Sequence, residues 1–182
     1  MPPRVQDKLA AIIAEIDRAG CANVMRLTVL KKWFEHPRRL RAFGLWVAER
    51  AAARGDAATG EAAELFAQAR ALLTERPLSE PMPGWTAAER LHHRLRAFQN
   101  TYEHHWGPVR IIKNWDLLLI EEGLALYLGE RRDPTAGYRL AVDECKHYEG
   151  LFGDLTRPSR AKLTALIGFV ATTEAREGEC FD

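Results

Sequence analysis

Apolar side chains recur at three- and four-residue intervals along nearly the whole chain, and no run alternates apolar and polar residues between bounding turns, so the pattern predicts an all-α fold. Breaks in that pattern divide the chain into about eight helices. The first covers about 3–19 and stops at Gly20. The second covers about 23–35 and ends at His36-Pro37, because the residue before a proline is biased away from helix. The third, about 37–54, stops at Gly55, and the fourth, about 59–75, starts behind a threonine cap. "RPLSEPMPGW" (76–85) then interrupts with three prolines and a glycine. A fifth helix is expected over 86–106, a sixth over 111–128, a seventh over 134–152 and an eighth over 159–176. Thr86-x-x-Glu89 reads as a capping box, and Asp133 before Pro134 as an N-cap with proline in the first turn.

Wound at 100° per residue, Trp115 to Leu128 carries apolar side chains on every side, the pattern of a helix surrounded by others. The expected architecture is a single-domain bundle, 1–182, around a buried central helix at about 111–128. Asp116, Glu121 and Glu122 point about 120° apart around that helix and cannot share one wet stripe. Glu122, flanked by Trp115, Leu118, Leu119 and Leu126, is the expected interior acid; Glu144, beside the apolar stripe of the seventh helix, is a second. Each then needs a hydrogen-bond, ionic or metal partner, since an isolated charge is costly to bury.

Composition fits this picture: 182 residues, 47% hydrophobic and 28% charged, suffice for one sizeable core. The net charge of +1 excludes the broad basic footprint of a dedicated nucleic-acid binder. It conceals an asymmetry, because residues 1–56 carry eleven Lys/Arg against six Asp/Glu and residues 114–182 carry eight against thirteen. A basic N-terminal half (1–75) and an acidic C-terminal half (86–182) are thus expected to meet through the proline-rich bridge 76–85. The three cysteines form no close pair, which suits reduced thiols and a cytoplasmic location. The start lacks the apolar core of a signal peptide, and the most apolar stretch, 111–129, contains Lys113, Asp116, Glu121 and Glu122, so no membrane partner is expected.

Glu-x-x-His occurs twice, as Glu89/His92 and Glu144/His147, and with Glu64 and Glu122 on other helices it matches on paper the inward-facing ligands of di-metal carboxylate bundles. The capping box already employs Glu89, however, and His147 lies nearly opposite Tyr138 of its helix's apolar stripe. A metal held by Glu122, Glu144 and His147 is therefore the lesser alternative, and no cofactor is expected. Neither serine lies in G-x-S-x-G, no phosphate-binding glycine loop occurs, and Cys145 and His147 diverge on one helix, so no catalytic residue is assigned.

"LKKWFEHPRRLRAF" (30–43) alternates charge with aromatic rings. Val24, Leu27, Leu30 and Phe34 form a core arc with Trp33 on its flank, which leaves Thr28, Lys31 and Lys32 as a solvated strip. Arg38, Arg39 and Arg41 then crowd the first turn of the next helix, where positive charge opposes the helix dipole; such a local conflict marks a functional surface. Lys31, Lys32, Arg38, Arg39 and Arg41 are accordingly the expected partner-binding residues. Together these features suggest a non-catalytic protein-interaction or adaptor module, acting on a protein partner or by self-association through complementary charge. The alternative is a nucleic-acid-associated protein using the basic stretch 26–54.

Overall fold

The computed structural model describes residues 4–20, 22–74, 85–99, 101–104, 107–110, 113–146 and 158–179. Among them are eight α-helices: α1 (Val5–Ala19), α2 (Leu30–Trp33), α3 (Pro37–Ala53), α4 (Gly60–Thr74), α5 (Trp85–Gln99), α6 (Trp115–Leu128), α7 (Pro134–Cys145) and α8 (Arg160–Glu179). The fold is all-α. The bridge 76–84 lies outside the described residues, and contacts group the chain into two units that do not follow the charge halves: residues 1–39 with 133–182, and residues 40–132.

In the first unit α1 packs on α8, while α2 and a 3-10 turn (Val24–Val29) pack on α7. The starts and stops have local causes. Asp7 accepts from the Arg4 backbone N–H at 3.0 Å at the head of α1, and Gly20 closes that helix at φ 73°, a left-handed conformation that glycine adopts without strain. Asp133 accepts from the Thr135 N–H at 2.9 Å, with Pro134 in the first turn of α7. That helix ends at Cys145, short of the expected 152. The Ser159 N–H donates to the Cys145 carbonyl at 2.7 Å, and Lys146 bridges Pro158, so the chain re-enters beside the helix end and begins α8 there.

In the second unit α6 is the hub: every residue from Leu117 to Leu128 is buried except Glu122. It packs on α5 and α4, and its glycine, Gly123, lies against Gly44 and Ala48 of α3. Gly55 opens a short 3-10 turn (Gly55–Ala57) directly beneath the ring of Phe66, where no Cβ would fit.

The fifth helix stops short of the expected 106, and the sixth begins later than the expected 111. α5 stops at Gln99, and the chain forms an antiparallel hairpin, β1 (Thr101–His104) with β2 (Gly107–Arg110), in the register Thr101↔Arg110 to His104↔Gly107. Gly107-Pro108 cannot propagate a helix, and Gln99 supplies a substitute for the lost ladder. Its buried side chain accepts from the Lys113 N–H at 2.9 Å and donates to the Asn114 carbonyl at 2.7 Å. Asn114 then caps α6 by accepting from the Leu117 N–H at 3.1 Å. His104, expected near a helix end, is instead a strand residue. At the other end of α5, the helix already includes Trp85, one residue before the expected start.

Candidate interaction surface

The five basic residues expected to bind a partner differ in their surroundings. Arg39 is committed to its own unit: its guanidinium donates to Glu177 of α8 through Nε (2.9 and 3.1 Å) and Nη2 (2.6 Å), and it lies 5.3 Å over the Trp33 ring. This acid from α8 offsets the positive charge crowded at the start of α3. The paired charges hold the Glu177 carboxyl below its ordinary range and raise Arg39, chiefly through their hydrogen bonds. Next to this pair, the Trp33 indole donates to Glu174 at 3.0 Å and the Gln6 amide donates to the same carboxylate at 2.7 Å. Trp33 itself is buried edge-on against Phe34 and Phe169.

Arg41 belongs to the second unit, where its guanidinium approaches the Gly129 turn. Lys31, Lys32 and Arg38 remain exposed on the first unit. The Lys31 ammonium lies 4.9 Å above the centroid of the Tyr138 ring, a contact that leaves it open to solvent on its outer side. Lys32 and Arg38 form no ion pair among the described residues, whereas Arg26 pairs with Glu15, Arg160 with Asp17, and Arg54 with Asp116. Arg50, further along the basic stretch, stacks 5.0 Å over Trp46.

The charge asymmetry of the sequence is thus partly consumed inside the first unit. Its leading segment, 1–39, carries eight Lys/Arg against four Asp/Glu, and its closing segment, 133–182, carries six against nine. Arg39 with Glu177 and Arg160 with Asp17 each join one segment to the other.

Glu122 and Glu144, two of the alternative metal ligands, belong to different units. Glu122 is paired with Arg131 at the surface of the second unit, which corrects its assignment as the interior acid; that place belongs to Glu121, only 3% exposed. The cause is the reversal after α6. Gly129 adopts φ 77°, the Glu130 and Arg131 N–H groups return to the Ala125 carbonyl, and Arg131 is thereby brought back over Glu122. Glu144 is fully buried in the first unit, and both it and Glu121 have polar or electrostatic partners. His147 lies outside the described residues. Among the described residues no group of three or more His, Cys, Asp or Glu side chains is arranged to hold a metal ion.

His92 is buried, at 2% exposure, with Nδ1 3.0 Å from a Glu130 carboxylate oxygen but not aligned for a hydrogen bond. Burial pushes its pKa below the ordinary histidine value, against the attraction of Glu130 and Glu122 and with the repulsion of His93 and Arg96. No helix among the described residues is long and apolar enough to cross a membrane.

Sequence reasoning missed Glu174, Glu177 and Gln6. Their only sequence signal is that Glu174 and Glu177 stand one turn apart on the last helix, and nothing local names Trp33 and Arg39 as the groups they meet. No family model, curated protein or solved structure matches the chain.

Proposed function

We propose that the chain is a non-catalytic protein-interaction module that receives an acidic protein partner on the Lys31, Lys32 and Arg38 side of its first unit. The observation that carries this reading is the contrast in pairing. Arg26, Arg39 and Arg160 of the same unit are each neutralised by an acid, while Lys32 and Arg38 are left facing solvent without one among the described residues. Unpaired surface cations contribute long-range steering and selectivity for complementary charge, and cost little to leave exposed. The same contrast favours an acidic protein over nucleic acid, because Arg26, Arg39, Arg50 and Arg54 of the stretch 26–54 already have internal partners. The buried thiol of Cys145 suits work in a reducing compartment such as the cytoplasm.

A titration of the full chain with a labelled glutamate-rich peptide at low salt tests the proposal. Saturable binding that weakens with salt and disappears in Lys31→Glu/Lys32→Glu/Arg38→Glu is the expected result. Absence of binding, or binding unaffected by the reversals, contradicts it.

A further inference from the structure

Resting on the acidic-partner reading, the geometry points to a more specific ligand: we infer that the surface takes an acidic segment that also carries an apolar side chain, seated against Met25 beside the lysines. The local backbone creates this site. Residues 24–29 form a 3-10 helix of six residues, longer than such helices usually run, held at its start by Asn23 accepting from the Met25 N–H at 2.9 Å. At three residues per turn, Val24, Leu27 and Leu30 line up and are buried at 2%, 0% and 0% exposure. The next row, Met25, Thr28 and Lys31, then faces outward, and all three are exposed.

Met25 is 53% exposed, and it is the large apolar side chain among the described residues that stands mostly in water. It is tied to the cationic end of the row through one residue of α7. The Tyr138 hydroxyl donates to Met25 Sδ at 3.4 Å, and the Lys31 ammonium sits over the ring of the same tyrosine. The exposed thioether and the exposed ammonium are therefore both anchored on the buried Tyr138 of the first unit. A flexible, polarisable thioether adapts to varied apolar groups, and the adjoining ammonium groups require negative charge. A partner that offered carboxylates alone would leave Met25 in water; one that offered an apolar face alone would leave the lysines unmatched.

Two short synthetic peptides of equal length and equal acidic charge, one with leucine and one with serine at the intervening positions, separate the possibilities by fluorescence anisotropy with the full chain. The leucine peptide should bind about tenfold more tightly. Met25→Ser should erase that preference, so that the leucine and serine peptides bind the variant equally, with circular dichroism verifying the fold. Equal affinity for both peptides, or a leucine preference that survives Met25→Ser, overturns the inference but spares the charge-based reading if Lys31→Glu still weakens binding. Failure of both peptides to bind overturns the two together, as does tighter binding of an oligothymidine of equal charge.

Discussion

Gly44 of α3 and Gly123 of α6 face each other so closely that a Cβ on either would come within 2.4 Å of the other's carbonyl oxygen. The contact is reciprocal, and Ala48, one turn along α3, extends it with its own small side chain. Small residues at both positions let two helix backbones approach until main-chain atoms touch, so neither site can absorb even a methyl group without separating the helices. Gly44→Ala and Gly123→Ala should each lower stability by about 1–3 kcal/mol, despite the better helix propensity of alanine. Urea denaturation measures this, and an unchanged or raised midpoint would refute the close crossing.

Glu174 should matter more than Glu177, although only the latter belongs to an ion pair with arginine. Glu174→Ala strands the indole N–H of the buried Trp33 and removes the acceptor of Gln6, at a cost of about 1–3 kcal/mol. Glu177→Ala exposes an arginine that water already reaches, at a cost below about 1 kcal/mol that shrinks with salt. Denaturation midpoints of the two variants at low and high salt decide the order.

Gln99 is a side-chain clamp at the base of the hairpin. Gln99→Leu keeps most of its volume but releases the Lys113 N–H and the Asn114 carbonyl. Stability should fall by about 1–3 kcal/mol, and hydrogen exchange should quicken at the Lys113 amide and along the first turn of α6. Exchange that stays as slow as in the parent chain would show that the clamp is dispensable.

The depressed pKa of His92 makes stability dependent on pH with a definite sign. Above the unfolded histidine pKa, about 6.5, both states hold the imidazole neutral and the group contributes no slope. As the pH falls below that value, the unfolded chain gains a proton that the folded chain resists, so stability is progressively lost until the lower folded pKa is passed. Replacing His92 with Gln should flatten this part of the profile relative to the parent chain, whatever its effect on stability at neutral pH. Parallel slopes in urea melts between about pH 7.5 and about pH 5 would contradict the assignment.

Much of the helical framework is legible in the sequence because its causes are local. Gly20, Asp133-Pro134 and the apolar girdle of α6 each specify a helix boundary or a buried helix from neighbouring residues alone, and the arc Val24, Leu27, Leu30 and Phe34 is buried as its spacing implies. The choice between Glu121 and Glu122 is not local. With apolar residues on all sides, periodicity cannot distinguish them, and the deciding group, Arg131, arrives only after the Gly129 reversal. The same limit applies to Arg39, whose partner Glu177 is 138 residues away.

The proposal that the first unit receives an acidic partner is tested most directly by exchanging the charges. Binding of a glutamate-rich peptide should be lost in Lys31→Glu/Lys32→Glu, and a lysine-rich peptide of the same length should bind that variant but not the parent chain. If the variant fails to bind the lysine-rich peptide, or the parent chain binds both peptides equally, charge complementarity at these two lysines does not select the partner.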